Sequence, residues 1–270
     1  MAGGARAGQA LRVGDEGAGL AALAEVVVEG PVSDAVFLDG VLYVAGARLA
    51  VFDLADPANP IPQTEIDLFA GSPVEGLVVA GGRLWALGAE GAGQRLLALD
   101  RTNELAPIAL PAESLLVTSA PASRLLIRDG DLYRLGTARI ERFDLALGAP
   151  PTLAASGSPA GAAMIDLESA EGALFVASRG QGVRQLFEAS GVLTLGAAPS
   201  PGSAAAGLFA LSEGGGERLW RAAGLAGAAA HDSTRRAPTG CHLRDVEVAV
   251  GGSNELLLLT GCGIEREVMP

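Results

Sequence analysis

One short phrase recurs along this chain and limits its fold more than any other feature. A leucine followed by a large side chain occurs at Leu42-Tyr43, Leu84-Trp85, Leu132-Tyr133, Leu174-Phe175 and Leu219-Trp220, with Leu256-Leu257 as a degenerate sixth. The leucines lie 42, 48, 42, 45 and 37 residues apart. Aromatics make up only 4% of the chain, so five at one phase mark a repeat rather than chance. A period of this length belongs to arrays in which each unit is one supersecondary motif that cannot bury its apolar face alone.

Each unit reads as paired strands. Just before the leucine lies a turn dipeptide: Asp39-Gly40, Gly81-Gly82, Asp129-Gly130 and Glu171-Gly172, then less clearly Gly216-Glu217 and Ser253-Asn254. Two-residue hairpins need positive φ at their centre, which Gly and Asn tolerate best. Short apolar runs flank the turns, such as Ala35 to Leu38 and Val41 to Val44. A third strand follows in four units and ends in a carboxylate: Asp53, Asp100, Asp144 and Glu188, spaced 47, 44 and 44 residues apart. These acids are expected to form the turn after the strand rather than to bind metal. The arginines that open these strands, Arg48, Arg95 and Arg139, are expected to be rim or cross-strand partners. Pro60, Pro62, Pro107 and Pro151 fall in the fourth run. Proline cannot donate to a ladder, so that run is expected at the outer edge.

Four antiparallel strands per unit, with no helical period between them, predict an all-β fold. The expected architecture is a six-bladed β-propeller with four-stranded antiparallel blades. The last unit supplies three strands, over 244–250, 254–260 and 263–268, and an unpaired third strand would leave an open edge. Ala22 to Val28 is a spare β-prone segment, so the expected closure docks it beside Gly263 to Val268, a seventh blade lost to truncation being the alternative. The expected blades are 31–68, 72–112, 119–156, 161–197, 203–238 and 242–270 plus 20–29. Residues 1–18 read as a disordered or low-complexity tail and 19–270 as the propeller.

The segment Asp39 to Gly46, then Arg48 to Pro60 with its Asp56-Pro57-Ala58-Asn59-Pro60 turn, resembles the repeat of the LVIVD-repeat β-propeller family. The likeness is good over one unit and partial over the next three. It implies a bacterial propeller on or outside the cell envelope with a binding or adhesive role, and it supplies no catalytic residues.

The residues exclude several chemistries. All 19 basic residues are arginine, which removes a P-loop lysine, a kinase-type ATP site and a pyridoxal Schiff base. A formal charge of −12 argues against nucleic acid as a partner. The charge-free stretches from Leu145 to Ile165 and Ala189 to Ser212 are broken by proline and glycine, so no membrane span is expected. No export signal is visible in the first residues. No G-x-S-x-G or H-E-x-x-H occurs, and His231 and His242 are expected to be loop or rim residues.

Cys241 and Cys262 fall at one end of the last unit, where a hairpin returns to its start, so a disulfide is expected, with two reduced thiols as the alternative. A bridge would place the protein in an oxidising compartment, extracytoplasmic or at the cell surface, and reduced thiols would leave it cytoplasmic. Non-repeating charges near the starts of first strands, Asp34, Glu75, Arg124, Arg244 and Asp245, are the candidate binding residues around a channel mouth. The expected function is a monomeric, non-enzymatic propeller that binds an unknown protein or small molecule without a cofactor. The alternative is a hydrolase or lyase using mouth carboxylates and a divalent cation.

Overall fold

A computed structural model describes the strands Gly8–Asp15 and Ala21–Glu29 and the chain from 30 to 196, except 120, 160–162, 171–172 and 180–181. Beyond 196 it describes six further strands. The chain divides into two compact units: Met1–Pro121 with Asp129–Leu132 and Asp144–Thr152, and the remainder from Ala122 onward. The described residues form strands and turns, without a helix.

The first unit opens with an antiparallel hairpin of β1 (Gly8–Asp15) and β2 (Ala21–Glu29). The first blade follows: β3 (Asp34–Leu38), β4 (Val41–Ala45), β5 (Leu49–Asp53) and β6 (Ile61–Ile66), hydrogen-bonded in chain order. The second repeats it with β7 (Val74–Ala80), β8 (Arg83–Glu90), β9 (Gly93–Asp100) and β10 (Ile108–Val117). The tight turns are as their sequences dictate. Asp39 and Gly40 have φ of 53° and 81°, Gly81 and Gly82 56° and 73°, so both central residues are left-handed, as a twisted hairpin requires. Pro62 and Pro111 lie in β6 and β10, the outermost strands, where a missing N–H interrupts no ladder.

The third blade is β11 (Ala122–Arg128), β12 (Asp131–Gly136), β13 (Ile140–Asp144) and β14 (Thr152–Gly157). The fourth is β15 (Ala163–Ala170), β16 (Ala173–Arg179), β17 (Gly182–Ala189) and β18 (Val192–Leu195). One parallel bridge, Ser156 to Val192, joins the outer strands of these two blades. Two three-stranded sheets complete the described chain: β19 (Leu208–Leu211), β20 (Glu217–Arg221) and β21 (His231–Arg235), then β22 (Leu243–Val248), β23 (Glu255–Thr260) and β24 (Gly263–Val268).

Blades bury their two faces against each other by one rule. In the first unit, Val41, Tyr43, Leu49 and Val51 pack on Leu84, Ala86, Leu97 and Leu99 of the next blade. In the second unit, Tyr133, Leu135 and Ile140 pack on Leu174, Val176 and Leu186. Residues at the phase of Tyr43 thus meet residues at the phase of Leu42 and Val44. Small residues permit the close approach: the Val74 N–H donates to the Gly46 carbonyl at 2.8 Å, and a Cβ at Gly88 would strike the Phe69 ring. The same kind of bond recurs in the second unit, from the Met164 N–H to Thr137 at 2.9 Å.

Two expectations need correction. Residues 8–15, placed by the sequence reading in a low-complexity tail, form a strand. Its partner is β2, so Ala22 to Val28 pairs within an N-terminal hairpin of the first unit, while Gly263–Val268 pairs with β23 in the second. Across its face β2 is nonetheless engaged: Val26 and Val28 pack on Val44, Ala50, Phe52 and Leu54 of the first blade, while Val27 points to solvent, 63% exposed.

Candidate functional site

First strands of successive blades lie side by side, β3 beside β7 in the first unit, and β11, β15, β19 and β22 in sequence in the second. Their starts carry the charged residues singled out above.

In the first unit, Asp34 and Glu75 are engaged by protein groups. One Asp34 carboxylate oxygen accepts the Leu77 N–H of the neighbouring strand at 2.8 Å, and the other accepts the Ala35 N–H at 2.8 Å. Ser33 donates to the Ala45 and Val74 carbonyls beside it. Glu75 accepts from the side-chain amide of Gln94, which is buried on β9. Asp34 therefore fastens one blade to the next. A cleft of about 230 Å³ in this unit lies elsewhere: Val27, Ala50 and Phe52 line it together with Pro62 to Glu65 of β6.

In the second unit, Arg124 on β11 faces Asp166 on β15, with the guanidinium Nε 3.5 Å from a carboxylate oxygen. The pair is largely withdrawn from water, their side chains being 18% and 7% exposed. Asp166 also accepts the Leu167 N–H at 3.0 Å, which fixes the carboxylate to its own strand. Asp166 was not among the sequence candidates. It stands five residues before the turn residue Glu171, as Asp34 stands before Asp39 and Arg124 before Asp129, so counting back from the turn would have found it.

The strand pairing gives these starts a common construction. A register shift lies between Val74 and Gly76, between Met164 and Asp166, and between Leu243 and Asp245. The residues in between, Glu75, Ile165 and Arg244, are each the extra residue of a β-bulge, a device that re-aims neighbouring side chains. Asp166 and Asp245 occupy the same place immediately after the bulge, opposite Ala177 and Leu259. Arg244 and Asp245 are thus placed by register at the start of β22, in the same unit as Arg124 and Asp166.

Other charged groups serve the blades themselves. Arg83 donates to both oxygens of Glu113, at 3.0 and 3.2 Å, and lies 3.5 Å from Asp100. The Arg83 hydrogen bonds hold the Glu113 carboxyl below the usual carboxylate range. Asp100 is lowered as well, first by the Thr102 hydroxyl, then by its N–H and by Arg83. The turn role expected of the repeating acids holds at Asp53 and Asp100, which accept from Ala55 and Thr102 two residues on. The fourth repeat departs from it: Leu174 pairs with Leu186 as Leu42 pairs with Phe52, so Phe187 takes the place of Asp53, and Glu188, one step on, pairs with Arg142 at 3.0 Å. The expected cross-strand partner is found for Arg95, which donates to Glu90 on β8, whereas Arg139 donates to Glu141, two residues on in its own strand, at 2.8 Å. Glu141 also binds Arg134, so an ion pair 1% and 3% exposed lies inside the third blade.

Cys241, Cys262 and His242 lie outside the described residues, and of His231 only its strand position is described. Among the described residues no three His, Cys, Asp or Glu side chains gather as a metal site would need, and no helix is long and apolar enough to cross a membrane.

Repeated antiparallel blades stacked on alternate faces define a propeller-like fold, and comparison with solved structures supports that class. A candidate 6-phosphogluconolactonase from Bacteroides uniformis aligns over 97% of this chain and 92% of its own, with a TM-score of 0.64 and 14% identity. A second, from Bacteroides fragilis, covers 79% of this chain and 74% of its own at 0.55 and 12%. A protein from Lactobacillus plantarum covers 92% and 87% at 0.59 and 12%. At these identities the likeness is one of fold. No protein-family model and no curated protein matches the sequence.

Proposed function

We propose that this chain is a binding propeller that recognises a small polar ligand at the first-strand starts of its second unit, with Arg124 as the principal recognition group. The observation that carries the reading is the Arg124–Asp166 pair, set immediately after a β-bulge and mostly removed from water. Desolvating two charges generally costs about as much as their attraction returns, so such a pair is weakly explained by stability. Arginine is suited to grip a carboxylate or phosphate through its planar donors. The Arg134–Glu141 pair differs in being sealed within a sheet, whereas Arg124 keeps enough exposure for a ligand to reach it.

The test is a thermal-shift screen of anionic and polar metabolites against the wild type and Arg124→Ala. A ligand that raises the wild-type melting temperature and leaves the variant unmoved supports the reading. A ligand that stabilises both equally places its site elsewhere and ends it.

A second reading, hydrolysis of a sugar lactone, is favoured by one observation: the likeness to the Bacteroides uniformis candidate lactonase spans nearly the whole of both chains. Fold alone is a weak warrant for activity. Proton release from the δ-lactone of 6-phosphogluconate, above the spontaneous rate and reduced in Arg124→Ala, would establish this activity.

A further inference from the structure

The cleft beside β6 in the first unit joins apolar walls to a carboxylate. Across β5 and β6, Ala50 pairs with Glu65 and Phe52 with Pro62, and Ala50 and Phe52 belong to the face on which Val26 and Val28 of β2 pack. Beside β2 that face keeps a cleft of about 230 Å³ whose wall includes Val27, Ala50, Phe52, Pro62 and Glu65. The register shifts between Val51 and Phe52, which leaves Gln63 as the extra residue of a bulge on β6. Among the described residues Glu65 is the one charged group lining the cleft, and it makes no ion pair or side-chain hydrogen bond with them.

These features select an occupant. β6 is an outermost strand, but Pro62 and the bulge at Gln63 are both devices that discourage an added strand. The volume lies below the roughly 300–1,000 Å³ that drug-sized ligands fill, so a single ring with a short chain suffices. An anion is repelled by Glu65 and by a chain whose formal charge is −12. A neutral apolar body would take water from the carboxylate and return no partner. A cation answers that carboxylate, and the Phe52 ring attracts a cation in preference to an anion. We infer that the cleft binds a small primary amine with an apolar ring or chain, its ammonium on Glu65 and its apolar part against Val27, Phe52 and Pro62. The inference goes beyond the reading above and uses no residue of the second unit.

Calorimetry on the full chain tests it with matched probes: phenethylamine, its neutral analogue phenethyl alcohol, the anion hydrocinnamate, and ethylamine, which lacks the ring. Phenethylamine is expected to bind at about 1 mM or tighter, at least about tenfold better than the other three. Glu65→Gln should lose at least about tenfold in amine affinity and bring it level with the alcohol. One charge removed from a net −12 is too small a change to act through the overall field. Val27→Arg, at a position 63% exposed, sets a cation beside the cleft and should weaken the amine as well. Far-UV circular dichroism confirms that each variant folds, and either variant alone suffices should the other fail. Alcohol binding as tightly as the amine, amine binding that neither variant disturbs, or no saturable heat from the amine would each overturn the inference. An extended lysine-containing peptide that binds in place of the amine, and is lost in Glu65→Gln, would overturn it in favour of an added strand. A dimer in sedimentation that Val27→Arg dissolves would overturn it in favour of a second copy of the chain.

Discussion

Single side chains in this molecule act mainly across strands, and Glu113 shows how that couples stability to pH. Its carboxylate, on β10, receives both donors of Arg83 on β8, and those bonds lower its pKa. A carboxylate whose folded pKa is lowered binds fewer protons when folded than when unfolded. Its contribution is therefore complete above the ordinary carboxylate value, near 4.3, and is lost as the pH falls through the lower folded value. Asp100 and Glu90, lowered by Thr102 and Arg95, act in the same sense. Glu113→Gln is expected to lower stability at pH 7 and to flatten the loss between pH 5 and 3, as read by urea unfolding at each pH. An unchanged acid slope would show that Arg83 does not govern it. The partners of the repeating acids were legible from sequence because a turn is local: Asp53 and Asp100 reach N–H groups two residues on. The Arg83–Glu113 pair was not, since 30 residues separate the partners and only strand order brings them together.

At the level of strands and hairpins, the clearest expectation concerns β2. Its alternation places Val26 and Val28 inward, 3% and 4% exposed, with Val27 outward. Val28→Ala removes packing from Phe52 and Ala50 and should cost about 1–3 kcal/mol in urea unfolding. Val27→Ala should change stability by less than about 0.5 kcal/mol. Equal effects at the two positions would mean that β2 does not lie on the first blade. Strand boundaries were readable because turn dipeptides and proline act locally, and Asp39-Gly40, Gly81-Gly82 and Asp129-Gly130 all take the positive φ their sequences demanded. The pairing of β2 was not readable. Its valines suit any open edge, and Gly8–Asp15, with two glycines and an aspartate among its eight residues, carries little β signal of its own. The bulges escaped notice for a related reason: an extra residue shows only when two strands are set in register.

For the chain as a whole, the period announced an all-β, propeller-like fold, while the site stayed faint because the residue type at the recurring first-strand position changes from blade to blade. Arg124 and Asp245 stood out by type, but Asp166 emerged only through its partner. Compartment turns on Cys241 and Cys262. The proposal of an oxidising location predicts no titratable thiol in the unreduced, denatured protein and two after reduction. Two thiols without reductant would remove its support. The rule by which blades meet carries a further implication. Since the two described blades of the first unit meet through one kind of surface on one and another kind on its neighbour, a duplicated gene segment inserted in frame between β6 and β7 would meet a ready-made neighbour on either side. Growth by whole modules then demands no simultaneous change in the surrounding interior, so unequal crossing-over offers such a lineage a tolerant route to new lengths.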